Sequence, residues 1–176
     1  MRSEWVTSKE IEYILASLMP VNALVCEISL ATGLRIGDVL SLKPWQVNPD
    51  RERFTIKEQK TGKSRLVYIP LKLRKKAFEI SGRFWVFENR VDVKKHRTRQ
   101  AVFKDLRRSA KAFRIKNHLS PHSFRKVFAV NYYNKCGCNL EKVKKLLNHS
   151  SEAVTMIYAM ADLITKNKVV DIKKLR

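Results

Sequence analysis

From Thr7 to Thr32 the apolar residues recur three and four positions apart, the interval that lines one face of an α-helix. Ile11, Ile14, Leu15 and Leu18 follow Thr7-Ser8-Lys9-Glu10, a spacing that resembles a capping box, so a first helix is predicted to run to Met19, with Pro20 ending it. Val21 to Thr32 repeats the interval, Gly33 supplies a C-terminal stop, and Ile36 to Leu42 predicts a further short helix. Arg35 therefore falls at a helix junction, where flanking helices fix the backbone and the side chain can be aimed into a cleft.

Between Phe54 and Pro70 the pattern changes. FTIKEQ and RLVYI are short β-prone runs joined by Lys60-Thr61-Gly62-Lys63-Ser64, which predicts a β-hairpin with a basic tip closed by Pro70. Leu71 to Ile80 returns to helix, FWVFENRVDVKKHRTR predicts a short strand followed by an exposed basic loop, and a helix is expected from Thr98 to Phe113. Ser120-Pro121 is a strong helix start, with the helix continuing through Tyr133 and stopping near Gly137, and it carries His122 and Arg125 in its opening turns. Asn139 is expected to cap the next helix, with Val143, Leu146 and Leu147 facing the core, and Ser150 or Ser151 to cap another that carries Tyr158. The fold class expected is α+β, mainly α-helical, with a small β-hairpin at one edge. No repeat, low-complexity tract or linker interrupts the chain, so residues 1–176 are expected to form a single domain with a tail from about 161 to 176.

Charge narrows the function. Among 176 residues, Lys and Arg number 37 against 16 Asp and Glu, a formal net charge of +21 that points to a polyanionic partner. Nucleic acid is favoured over a membrane, because the basic residues are spread along the chain and no apolar run approaches the roughly 20 residues that span a bilayer. MRSEWVTSKE has no apolar segment after its basic residue, so a secretory signal is not expected. Cys26, Cys136 and Cys138 are an odd set without a second ligand pair, which predicts reduced cytoplasmic thiols rather than a disulfide framework or a zinc site.

Several residues carry possible chemistry. His122 and Arg125, three apart on a helix, share a face and can reach two sides of one phosphate, although surface His and Arg often meet this way without function. Arg35 is more telling: within ATGLRIGDVLSL it must find an anion or bear a heavy desolvation cost. The plainest partner is Asp38, three residues on, and Asp38 can equally steady Arg35 while the guanidinium points at a ligand. Tyr158 alone reads as an ordinary core or surface tyrosine.

Taken together, ATGLRIGDVLSL, KTGK before a strand ending in Pro, HSFR, LLNHSS and a tyrosine nine residues after that last histidine resemble the catalytic domain of tyrosine recombinases, the phage integrase family. The resemblance runs from about Ser8 to Met160. It implies that Arg35 and Arg125 clamp the non-bridging oxygens of a scissile phosphate, and that Tyr158 attacks it to form a 3′-phosphotyrosyl link with release of a 5′-hydroxyl. It further implies that Lys60, or less favourably Lys63, protonates the leaving oxygen. His122 would exchange a proton with the tyrosine, His149 would hydrogen-bond the phosphate and Asp38 would support the site. These roles suit the residue types. A tyrosine of pKa near 10 is a poor nucleophile at neutral pH unless a base and strong positive charge surround its target, and two arginines with a histidine supply that charge. A covalent intermediate stores the phosphodiester energy, so neither a metal ion nor a nucleotide cofactor is expected.

The resemblance implies site-specific recombination of double-stranded DNA by a homotetramer, with accessory DNA-bending proteins among the possible partners. Relaxation of DNA in the manner of type IB topoisomerases, or regulation by a non-catalytic DNA-binding relative, are the alternatives. Asn148 stands where the family usually has glycine, and Phe124 where leucine is commoner. No segment resembling the family's N-terminal core-binding domain precedes Thr7, the pattern either of a short recombinase like those that invert fimbrial switches or of a piece of a longer protein. The apolar residues of the tail are expected to dock on a neighbouring protomer.

Overall fold

The computed structural model of the chain describes residues 8–115, 119–137 and 139–147. Helices α1 (Ser8–Ser17), α2 (Pro20–Thr32) and α3 (Ile36–Leu40) open it; a 3₁₀ turn (Pro44–Gln46) leads to strands β1 (Arg53–Lys57) and β2 (Ser64–Tyr68), and α4 (Leu71–Glu79), α5 (Arg99–Ala112), α6 (Pro121–Lys135) and α7 (Leu140–Leu147) follow. The architecture is thus mainly helical with a small antiparallel sheet, as the pattern of apolar residues predicts.

Helix α2 packs against α1, α3, α4 and α6. Its sequence explains that position: Leu24, Val25, Cys26, Ile28 and Leu30 are all buried, and a helix apolar on most sides has to be enclosed. Pro20 does more than end α1. It is the first residue of α2, where its missing N–H costs nothing. Met19 offers no side-chain cap, so the start of α2 is held from α5 instead: Asp105 Oδ2 accepts from the Met19 N–H at 2.9 Å and from Asn22 Nδ2 at 2.7 Å. At the other end Gly33 adopts φ +67°, its N–H bonded to the Ser29 carbonyl at 2.8 Å, while the Phe128 ring of α6 lies where a Cβ would project. Two demands, a left-handed backbone and a close aromatic neighbour, both call for glycine.

Ile11 and Ile14 of α1, Phe54, Ile56 and Val67 of the hairpin, Val102 and Leu106 of α5, and Phe124 and Val127 of α6 complete one apolar core. Ala129, Val143 and Leu147 form a smaller cluster where α7 lies on α6. In the hairpin, Arg53 pairs with Tyr68 and Lys57 with Ser64, so that Phe54, Ile56 and Val67 fall on the inner face.

The boundaries depart from the sequence expectations in particular places. Helix α1 ends at Ser17 rather than Met19, and α3 stops at Leu40 rather than Leu42, because Lys43 precedes Pro44 and a residue before proline is driven to extended backbone. Leu146 is only half-buried; Val143 and Leu147 supply the core-facing side of α7. In place of a strand after Phe84 there is a single bridge, Glu88 with His96. Only Val86 and Phe87 of that segment reach the core, and the Val86 N–H bonds the Leu42 carbonyl at 2.9 Å, so no longer ladder forms. Helix starts were well marked: Thr98 Oγ1 caps α5, Ser120 Oγ with Ser123 forms a capping box on α6, and Asn139 Oδ1 accepts from the Lys142 N–H at 3.0 Å. The helix expected after Ser150 or Ser151 and the tail lie outside the described residues. Among those described, no helix is long and apolar enough to cross a membrane.

Candidate active site

Arg35 is the residue before α3, held in extended backbone just after the left-handed Gly33, and this bend turns its side chain inward. Its side chain is buried, and Nη1 donates to Glu58 Oε2 at 2.7 Å. The i,i+3 pairing with Asp38 that the spacing suggests does not form among the described residues. Glu58, from the start of the hairpin turn, takes the guanidinium instead. Asp38 points to the same turn by another route, its Oδ1 accepting the Gln59 N–H at 2.9 Å.

Glu58 is completely buried and is met from three sides. Besides Arg35, Thr61 Oγ1 donates to its Oε2 at 2.9 Å, and Arg65 Nη1 of β2 lies 3.8 Å from its Oε1. Arg65 is itself anchored by a hydrogen bond from Nη2 to the Thr32 carbonyl at the end of α2. Burial lowers the pKa of Arg65, as does the charge of Arg35, while Glu58 and Asp38 oppose the shift. For Asp38, burial and then the Glu58 charge raise the pKa, against the Gln59 N–H and the charges of Arg35 and Arg125, which hold it down. The interior of the site is therefore a mesh of opposed charges, in which Glu58 lies between the Arg35 and Arg65 guanidinium groups and burial outweighs the arginine charges at Asp38.

Arg125 closes the mesh from α6. Fully buried, it donates from Nη1 to the Gly33 carbonyl at 2.6 Å and from Nη2 to the Leu147 carbonyl at 3.0 Å. One side chain thus ties the bend that sets Arg35 to the last described residue of α7, two positions before His149. His122 lies one turn earlier on α6 and is exposed, so the shared face that His122–Arg125 spacing predicts runs from the surface inward. Lys60 occupies the exposed hairpin turn between Gln59 and Thr61; Lys63 is exposed on its far side. His149 and Tyr158 lie outside the described residues.

The structure thus brings Arg35, Asp38 and Arg125 together, attaches the Lys60 turn to them, and adds Glu58 and Arg65, which the sequence reading passed over. A signal for both existed. Strand alternation puts Glu58 in phase with the inward Phe54 and Ile56, and Arg65 in phase with the inward Val67 and Ile69, so both charges sit at core-facing positions. Chemically, planar guanidinium forks converging from separate elements suit a tetrahedral oxyanion such as a phosphate.

Comparison with known proteins places the chain among relatives of one family and fold. The sequence profile described as the Phage integrase family matches residues 4–163. The chain is 28% identical over 163 residues to a tyrosine recombinase of Thermosipho africanus, covering 88% of this chain and 56% of that protein. It is 29% identical over 136 residues to the probable integrase/recombinase YoeC of Bacillus subtilis, covering 74% and 72%. In structure it is similar to a lambda integrase tetramer bound to a Holliday junction, with a TM-score of 0.70 at 20% identity, covering 89% of this chain and 48% of that one. The chain spans about half the length of most of the curated relatives it matches.

Proposed function

The chain belongs to the phage integrase family, and from that membership we propose that it breaks and rejoins double-stranded DNA at specific sites through a 3′-phosphotyrosyl intermediate. The observation that carries this reading is the convergence of Arg35 and Arg125, ninety positions apart in sequence, on one bend: Arg125 bonds the carbonyl of Gly33, and Asp38 feels the charge of both arginines.

In this reading the phenol oxygen of Tyr158 attacks phosphorus and its proton passes to His122. The bond from phosphorus to the 5′-oxygen breaks, and that oxygen takes a proton from Lys60. Arg35, Arg125 and His149 stabilise the charge that builds on the non-bridging oxygens, the preorganised electrostatic contribution that is usually the largest in such catalysis. Asp38 fixes the orientation of its neighbours. The chain's own cations supply the positive charge. Rejoining runs the same steps in reverse with a 5′-hydroxyl as nucleophile, so the phosphodiester energy is retained. Work on two duplexes by a homotetramer in the cytoplasm, assisted by DNA-bending proteins, is the form of the reaction that fits this chemistry.

A suicide substrate tests the proposal. Nicked duplexes with randomised cores, from which the short 5′-hydroxyl fragment escapes after cleavage, should give a covalent protein–DNA adduct with the native chain and none with Tyr158→Phe. An adduct that persists in Tyr158→Phe, or none from the native chain on any recovered sequence, would overturn it.

A further inference from the structure

Lys60 sits between two anchors, and we infer that Glu58 is a positioning residue that holds this lysine in register with Arg35. The inference rests on the strand-cleavage reading above and adds a residue to it. Just before Lys60, the Gln59 N–H is fixed by Asp38 at 2.9 Å; just after it, the Thr61 hydroxyl is fixed by Glu58 at 2.9 Å. The same Glu58 oxygen receives Arg35 at 2.7 Å, so a single carboxylate bonds both the arginine and the turn. The backbone of Glu58 closes that turn as well, its carbonyl accepting the Gly62 N–H at 2.9 Å and its N–H reaching the Lys63 carbonyl at 3.0 Å.

The turn that carries Lys60 and the bend that carries Arg35 belong to different elements, and this carboxylate bonds both. Proton donation to a leaving oxygen demands placement within hydrogen-bond reach, and errors of about 1 Å in such placement cost on the order of 100-fold in rate. Glu58 also lies between two buried guanidinium groups, with Arg65 Nη1 3.8 Å from the carboxylate oxygen that Arg35 does not take. Replacing it by glutamine keeps the volume but turns an NH2 toward a guanidinium and removes the charge between Arg35 and Arg65. The turn then no longer closes on Arg35, and Lys60 loses its register.

A leaving-group substitution separates this role from general support of the fold. When the scissile 5′-bridging oxygen is replaced by sulfur, the P–S bond breaks with the electron pair leaving as a thiolate, whose conjugate thiol has a pKa near 8.5, so no proton donor is needed. On the trapped oxygen substrate, Glu58→Gln should cleave about 100-fold more slowly than native protein at saturating DNA, as a lost general acid does. On the sulfur substrate Lys60→Ala should return to within about threefold of native, and Glu58→Gln should regain at least about tenfold, the remainder reporting the Arg35 guanidinium held by the same carboxylate. Thr61→Val, in the turn and outside the core, should show the same pattern to a lesser degree, and it serves where Glu58→Gln does not fold. Equal loss on both substrates, or undiminished cleavage of the oxygen substrate, overturns the role of Glu58 alone. Failure of native protein to form an adduct on either substrate removes the parent reading and this one with it.

Discussion

Arg125 buries a guanidinium to serve two backbone carbonyls, those of Gly33 and Leu147, so its loss has two separable consequences. Arg35→Ala and Arg125→Ala should each slow DNA cleavage by about 100- to 1000-fold, the range for removal of one preorganised donor, yet change DNA affinity only severalfold because many lysines and arginines share the phosphate contacts. Arg125→Ala should in addition lower thermal stability, since each buried carbonyl left without a donor costs about 1–3 kcal/mol. Suicide-substrate rates read alongside equilibrium binding and a melting curve separate these effects; lost binding with intact chemistry would refute the assignment. Asp105 gives a second test. Burial raises its pKa, but hydrogen bonds from Asn22, Arg108 and the Met19 N–H outweigh that, and the net shift is downward. A depressed folded pKa contributes stability that is present above the unfolded value near 4 and disappears as pH falls through the lower folded value. The melting temperature of native protein should therefore exceed that of Asp105→Asn at neutral pH, and the gap should close below about pH 4. A gap independent of pH would show that the charge of Asp105 is not what holds α2.

The elements were legible where local chemistry decides them and less so where packing does. Ser120-Pro121, Thr98 and Asn139 announced their helices because a cap is a short-range hydrogen bond written in adjacent residues. The strand expected after Phe84 did not form, since whether a β-prone run becomes a strand depends on a partner that the run itself cannot specify. Arg35 and Arg125 stood out by their surroundings in the sequence, whereas Glu58 and Arg65 were missed because ordinary charged letters conceal an inward phase unless alternation is followed through the turn. Gly33 joins both kinds of information: its left-handed φ is local, its contact with Phe128 is not. Gly33→Ala should destabilise the protein by about 2–4 kcal/mol, from left-handed strain and overpacking combined. Because this bend also accepts from Arg125, cleavage should fall in the surviving folded fraction too, measurable by denaturant unfolding beside adduct formation. An alanine variant of native stability would show that the bend is not constrained as described.

Over the whole molecule, a net charge of +21 makes binding to a polyanion strongly dependent on salt. Affinity for duplex DNA should fall by about 1000-fold or more between 50 and 200 mM salt, as for proteins making six or more phosphate contacts, with a similar slope for the native chain and for Arg35→Ala. A shallow slope, or one abolished by that single change, would place the binding charge elsewhere. The claim on which the rest depends is that Tyr158 becomes bonded to the DNA, and mass spectrometry of the trapped adduct tests it most directly. After nuclease and trypsin digestion, the peptide from Leu146 to Lys166, which contains Tyr158 as its sole tyrosine, should carry the mass of a 3′-linked nucleotide on that residue. A nucleotide found instead on Tyr13, Tyr68, Tyr132 or Tyr133, or on any serine or histidine, would contradict it.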